Sequence, residues 1–426
     1  METKAENPIR PRAQQRWASF GINFLMVIGS LCVAFLLAEL ALRVAGIGSD
    51  QFLRPDPVLG VRFIASKSGL SQDSCFSAHV SINAEGWRSR EIPLAKPAGV
   101  YRVLVLGDSF MAGLQVNDDE VFASALERRL SSEGLARRVE VINFGVPSYG
   151  TDQEYLSLRE FGLAYQPDLV LLAFYGQNDV SDNYSVLISA KSVYPKPFFD
   201  VEHDDLVFLP ITRSTPWLIR IGRELASHSR LYPLVRDTAI EYPPALRLLY
   251  KLGIVGIVPQ DDRSSDSAKN VAPWPWPNRW RRQLGVYERE PEWVHRAHAW
   301  QITERLLKQV KQQSEQAGAS FLLVELSSPI AVMPPSVLKG LVPVPGPGAA
   351  DVDPDKPSQL LAGIASRQNL DLVSLVPGFR RQIGDSETEF GKYYLNCDGH
   401  WTATGHRLAA EIVAPEVAAR LARARP

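Results

Sequence analysis

Cysteine is scarce in this sequence, net charge is nearly absent, and phosphate-binding glycine loops are missing. Three cysteines in 426 residues, Cys32, Cys75 and Cys397, exclude a disulfide-dense scaffold, and no Cys-x-x-Cys pair is spaced for zinc. The 46 Lys and Arg balance 47 Asp and Glu, a formal net charge of −1, so the basic excess of a general nucleic-acid binder is lacking. Without a P-loop or a Gly-x-Gly-x-x-Gly turn, no nucleotide cofactor is indicated. His295 and His298 share a predicted helix with no third ligand in view, so no metal is expected. There is no internal repeat. What is present suits a folded chain. Hydrophobic residues make up 45% and charged residues 22%, which excludes a mainly disordered one. The length gives one large domain or two smaller ones.

Long apolar runs are also few, with one clear case at residues 20–42, FGINFLMVIGSLCVAFLLAELAL. Asn23 and Glu39 are its only strongly polar members, and Glu39 stands near the far end, within reach of lipid headgroups. About 20 apolar residues at 1.5 Å rise span the ~30 Å hydrocarbon core. Lys4, Arg10, Arg12 and Arg16 precede the run, the pattern that keeps this end in the cytoplasm and exports the rest. A cleaved signal peptide fits less well, because the run exceeds a usual h-region and no small-x-small site follows closely. Leu31 before Cys32 speaks against a lipoprotein signal. The expected organisation is a basic cytoplasmic tail at 1–19, a single-pass anchor at 20–42 and a strand-and-turn extension at 43–99. A globular domain follows at 100–426, with an insertion at about 181–291.

In that domain, apolar strands at 100–106, 138–144, 168–174, 319–326 and 370–375 alternate with helices. The helices are predicted at 118–132, 151–161, 293–316, 358–367 and 402–423. Near-continuous apolar strands separated by helices predict a parallel sheet covered on both faces, a three-layer α/β/α arrangement. The insertion holds a polar linker at 261–270 and the WPWPNRW segment at 274–280. Two readings of those aromatics stay open: a cover for the functional face, or plain packing on the core. A loop rich in Pro and Gly spans 329–357.

Four short stretches fall at predicted strand ends, where ligands bind in open α/β sheets. They are Gly107-Asp108-Ser109-Phe110, Gly145 within NFGVPSYG, Gly176-Gln177-Asn178-Asp179, and Asp398-Gly399-His400 before the last helix. In this order and at these places they resemble the SGNH (GDSL-type) hydrolase family, over about 101–421 but not across the insertion. INAEGWRSRE ahead of the first strand and the anchor ending AELALRVAG look like membrane-attached members. The resemblance implies a flavodoxin-like sheet and a serine esterase that uses no cofactor.

The residues agree with that chemistry. A serine hydroxyl is a poor nucleophile until a base takes its proton, so Ser109 needs the imidazole of His400. Asp398 would hold the imidazole tautomer and stabilise its cation. The resemblance assigns the oxyanion donors to the backbone N–H groups of Ser109 and Gly145 and to the amide of Asn178. It departs in one place: the family's acid usually stands three before the histidine, but residue 397 is Cys and the acid is Asp398. The same Asp-x-His spacing occurs in the alginate O-acetyltransferase branch. Asp108 and Asp179 are fallback partners, read mainly as loop-organising, and His406 is read as structural. Three functions stay open: an esterase acting on an ester such as an O-acetyl group of an envelope or exported polysaccharide, an O-acetyltransferase onto a glycan hydroxyl, and a non-catalytic binding protein. Finally, Cys75 and Cys397 are the only thiols beyond the anchor, and export would allow them to pair. Two independent buried thiols are the alternative.

Overall fold

The computed structural model describes residues 12–185, 195–203, 205–211, 217–242, 244, 248, 287, 293–335 and 353–423. Helix α1 (Arg12–Val44) carries the apolar run. Its stretch Ile22–Val44 is long and apolar enough to cross a membrane, the one such helix among the described residues. Two antiparallel hairpins follow, β1 (Leu53–Asp56) with β2 (Gly60–Phe63), then β3 (Ser68–Asp73) with β4 (Phe76–Ser81).

Strands and helices then alternate through β5 (Val100–Gly107), α2 (Ser109–Ala112), α3 (Phe122–Ser131), β6 (Arg138–Asn143), α4 (Thr151–Glu160), β7 (Leu169–Phe174) and α5 (Asp179–Asp182). The insertion contributes a hairpin of β8 (Phe198–Glu202) and β9 (Asp205–Leu209), then helices α6 (Trp217–His228) and α7 (Leu231–Glu241). Alternation resumes with α8 (Trp293–Gln316), β10 (Ser320–Glu325), α9 (Pro329–Val332), α10 (Lys356–Gln368) and β11 (Leu372–Ser374). Helices α11 (Val376–Ile383), α12 (Glu387–Tyr393) and α13 (Ala403–Arg423) close the described chain. The linker at 261–270, the aromatic segment at 274–280 and residues 336–352 of the long loop lie outside the described residues.

Every residue of β5 and β7 is buried, because apolar runs without a polar break are satisfied only deep in a covered sheet. The five parallel strands stand in the order β11-β10-β7-β5-β6, the flavodoxin-like order expected from the sequence. Helix α3 packs on α13, and α4 packs on α8. The chain leaves β5 toward β6 on one side and returns to β7 on the other. That reversal opens a crevice beyond the carboxyl ends of β5 and β7, where ligands bind in such sheets.

Two buried guanidinium groups fasten the N-terminal extension to this core. Arg88 donates to the carbonyls of Ala112 (2.8 Å) and Val116 (2.6 Å) and also to that of Gly113, just past α2. Burial lowers its pKa to about 10, still far above neutrality. Arg102 is fully buried in β5, paired with Glu140 at 3.0 Å, and donates to the carbonyls of Leu94 and Tyr165 at 2.8 Å each.

One local expectation is corrected. The helix expected from residue 118 starts at Phe122, because residues 117–120 close a turn in which Asn117 N–H donates to Glu120 Oε2 at 2.9 Å. Asp118 is meanwhile held by Ser81 N–H at 3.0 Å and by Arg88. Helix α11 takes Pro377 in its first turn, where a proline gives up only an N–H with no intrahelical partner. Near the end of the apolar run the carboxylate of Glu39 accepts from Ser229 Oγ (2.8 Å) and from the backbone N–H groups of Arg230 (2.9 Å) and Leu231 (3.0 Å).

Candidate active site

Strand β5 ends at Gly107, where a Cβ would lie 2.4 Å from Met111 Cγ, so the chain can turn tightly into α2 only without a side chain. Asp108 caps that turn, its Oδ1 accepting the N–H of Phe110 at 2.8 Å. Ser109 thereby stands at the first helical position, and its own N–H has no partner among the described residues. Ser109 Oγ lies 2.8 Å from His400 Nε2, and His400 Nδ1 lies 3.0 Å from Asp398 Oδ2. With Nδ1 carrying the ring proton, Nε2 is left to accept from the serine.

The two-residue spacing of Asp398 and His400 works because of the turn between them. Gly399 adopts φ +79, and Asp398 Oδ1 accepts the backbone N–H of His400 at 3.0 Å. This small turn folds the carboxylate back onto its own neighbour's ring. Burial disfavours the charge on Asp398, but bonds from His400 and from Gln115 Nε2 (2.9 Å) outweigh it and hold the pKa below the usual carboxylate value. The carboxylate therefore remains charged beside the imidazole. Cys397, directly before it, is joined to Cys75 in a disulfide, with 5.9 Å between the Cα atoms.

No family model matches this chain, and no curated protein matches it. Among solved structures it is similar to an acetyl xylan esterase, AlAXEase, at 14% identity, covering 74% of this chain and 99% of that one, with a TM-score of 0.35. It is similar to TesA at 14% identity, covering 75% and 99%, with the same TM-score of 0.35. A lipase/acylhydrolase from Enterococcus faecalis is similar at 13% identity, covering 75% and 96%, with a TM-score of 0.35. Likenesses this distant carry no argument about chemistry, which rests on the geometry.

The remaining expected donors divide. Asn178 Nδ2 donates one hydrogen to Asp108 Oδ2 at 3.1 Å, which orients the amide and leaves the other hydrogen for a ligand. Gly145 is arranged differently from the expectation. Its N–H donates to Asn143 Oδ1 at 2.9 Å, and a Cβ there would lie 2.6 Å from Ala112 N. The residue is a glycine because the loop packs against α2, and its N–H is already used. Three residues on, Ser148 is exposed with φ +67, and its N–H has no partner among the described residues. The loop holding it is pinned at Val146, whose N–H donates to Gly107 O at 3.1 Å, and at Gly150, packed on Asn183.

The fallback carboxyls stay out of the relay. Asp108 serves Phe110 and Asn178, and Asp179 Oδ2 accepts from Tyr175 N–H at 2.8 Å. His406 is buried, accepts the N–H of Phe122 at 3.2 Å, and is pushed by burial down to about 3, so it stays neutral. His298 pairs with Asp200 at 2.6 Å, while the side chain of His295 lies outside the described set. Among the described residues no group of three His, Cys, Asp or Glu could hold a metal.

Near the Asn178 loop Asp152, Glu154 and Asp179 are buried and Asp182 is half-buried, and Lys196 Nζ lies 2.7 Å from Asp152 Oδ1 and 2.8 Å from Asp182 O. Both carboxyl oxygens of Glu154 lack a hydrogen-bond partner among the described residues. Burial raises Asp182 to about 7 and Glu154 well above its ordinary value. A group whose folded pKa is raised adds stability below its unfolded pKa, and that stability is lost as pH rises through the folded value. Glu154→Gln should therefore gain on the wild type as pH rises from 5 to 8. Thermal melts of both proteins across that range check it; a pH-independent difference would count against the buried neutral acid.

Proposed function

We propose that this chain is a serine esterase of the SGNH type, anchored by α1 with its sheet domain outside the cytoplasm. The observation that carries the reading is the continuous chain of hydrogen bonds from Ser109 Oγ through His400 to Asp398 at the C-terminal end of β5. As Ser109 Oγ attacks an ester carbonyl carbon, its proton passes to His400 Nε2, and Asp398 stabilises the imidazolium. Negative charge on the carbonyl oxygen meets the free N–H group of Ser109 and the second Nδ2 hydrogen of Asn178. His400 then protonates the departing alkoxide oxygen, leaving acyl-Ser109. Water, deprotonated by the same imidazole, releases the acid and restores the serine.

An O-acetyl ester of an envelope or exported polysaccharide is the substrate class that fits a site held outside the membrane. The Asp-x-His spacing supports a second reading, in which a glycan hydroxyl replaces water and acyl-Ser109 becomes a transfer intermediate. The intact relay speaks against a purely non-catalytic role. The test is the full chain in detergent with a chromogenic acetyl ester, with and without an unacetylated oligosaccharide. Release of chromophore is expected in both cases, and acetylated oligosaccharide appears only if transfer operates. Neither product would overturn the proposal.

Asn178→Ala should lower kcat about a hundredfold with little change in KM, because its bond strengthens as charge develops on the carbonyl oxygen. Steady-state kinetics with the chromogenic ester decide it. A change confined to KM would make Asn178 a ground-state binding residue.

A further inference from the structure

Outside the span and its flank, the described chain exposes large apolar side chains mainly in one place, the helix pair α6–α7. Trp217, Ile221 and Leu225 stand four residues apart on α6 and are 67%, 49% and 47% exposed. Residues four apart share a helix face, so the three form one stripe. To one side of that stripe Gly222 and Ala226 are buried, and Gly222 packs on Tyr232 of α7. Helix α7 adds Leu234 and Val235, 44% and 58% exposed. Large apolar side chains grouped in this way on a soluble surface are unusual.

The position of the pair is set by α1. The junction between α6 and α7 is clamped to the end of the apolar span. Glu39 receives Ser229 Oγ and the N–H groups of Arg230 and Leu231, and so caps the start of α7. One turn further, Arg43 Nη2 donates to His228 O at 2.8 Å. On the other side Arg230 Nη2 lies 2.9 Å from Asp50 Oδ2, which also accepts Leu70 N–H at 2.8 Å and so belongs to the sheet domain's extension. From Ile22 to Glu39 the helix rises about 25 Å, most of the ~30 Å hydrocarbon core. The junction therefore lies at the boundary of the bilayer, where tryptophan and cationic side chains collect. Helix α6 is about 18 Å long and its C-terminal end, at His228, is held at that junction.

We propose that α6 and α7 lie in the membrane interface beside the end of α1, with the stripe of Trp217, Ile221 and Leu225 and the pair Leu234 and Val235 against lipid. The proposal rests on the reading of α1 as a membrane span. The chain then meets the bilayer through two elements, one crossing it and one lying on it, and the capped junction couples the sheet domain to both. An amphipathic helix of this kind inserts its apolar face at the boundary of headgroups and acyl chains. The occupant of the patch is the bilayer surface, because the same hydrogen bonds that fix the helices also fix their depth.

The test uses the full chain with Cys32→Ser, which leaves no free thiol because Cys75 and Cys397 are bonded to each other. A single cysteine is added as Ile221→Cys or Leu225→Cys, labelled with an environment-sensitive fluorophore, and the protein is placed in nanodiscs of phosphatidylcholine and phosphatidylglycerol. Leu31→Cys within the span and Phe208→Cys on the β8–β9 hairpin serve as references. The expected result is that a doxyl-labelled lipid quenches the label at 221 and 225 several-fold more than at 208, while aqueous iodide does the reverse. Iodide quenching at 221 and 225 equal to that at 208, with Leu31→Cys still quenched by lipid, would overturn this inference alone. Shielding from both quenchers would also overturn it, since protein rather than lipid would then cover the patch. Failure of lipid to quench at residue 31 would sink the anchor itself.

Discussion

Ser109→Ala is expected to remove ester turnover by about 10⁴-fold or more while leaving the fold in place. The hydroxyl oxygen has a single described partner, His400 Nε2 at 2.8 Å, so its loss breaks one hydrogen bond and no packing. The His400 side chain is 22% exposed, so water can replace the serine and the stability change should stay within about 1 kcal/mol. His400→Ala should cost nearly as much, and the double variant little more, because nucleophile and base act as a unit. Turnover with the chromogenic ester, read beside circular dichroism, checks all three. Wild-type turnover in Ser109→Ala would remove the nucleophile from the account.

The second large effect concerns the disulfide. Cys75 and Cys397 are 322 residues apart in the chain, and on the chain-entropy model a link closing so long a loop contributes about 5 kcal/mol, an upper figure. That is a large share of the 5–15 kcal/mol by which domains are typically stable. The link also touches function, since Cys397 adjoins Asp398 and ties the loop of His400 to the extension that carries Arg88. Replacing both cysteines by serine should lower the melting temperature by many degrees. It should also lower kcat at temperatures where the fold persists, because the loop that aims the imidazole is loosened. Mass spectrometry of the non-reduced protein gives the independent check: two separately alkylated thiols would contradict the link.

Much of this was legible in the chain, and the unread parts have physical causes. The strands β5 and β7 announced themselves because a central parallel strand leaves no room for polar residues. Ser109, Asn178 and the Asp398–His400 pair were readable because their types and order at strand ends match one chemistry. Gly145 is ambiguous as a letter, since a glycine required by packing against α2 and a glycine that faces a substrate look the same in sequence. The partners of Glu39 come from residues 229–231, about 190 positions away, and such pairing leaves no local pattern. The start of α3 depended on a side-chain turn at 117–120 and on Ser81 and Arg88 holding Asp118.

The most direct test of the central claim is covalent labelling of the full, detergent-solubilised chain by a fluorophosphonate, followed by peptide mass spectrometry. A serine activated by a neighbouring imidazole attacks phosphorus, expels fluoride and keeps the phosphonyl group. The account predicts one adduct, on Ser109, which disappears in His400→Ala. Absence of labelling in the folded wild type, or an adduct on another residue that survives Ser109→Ala, would contradict it.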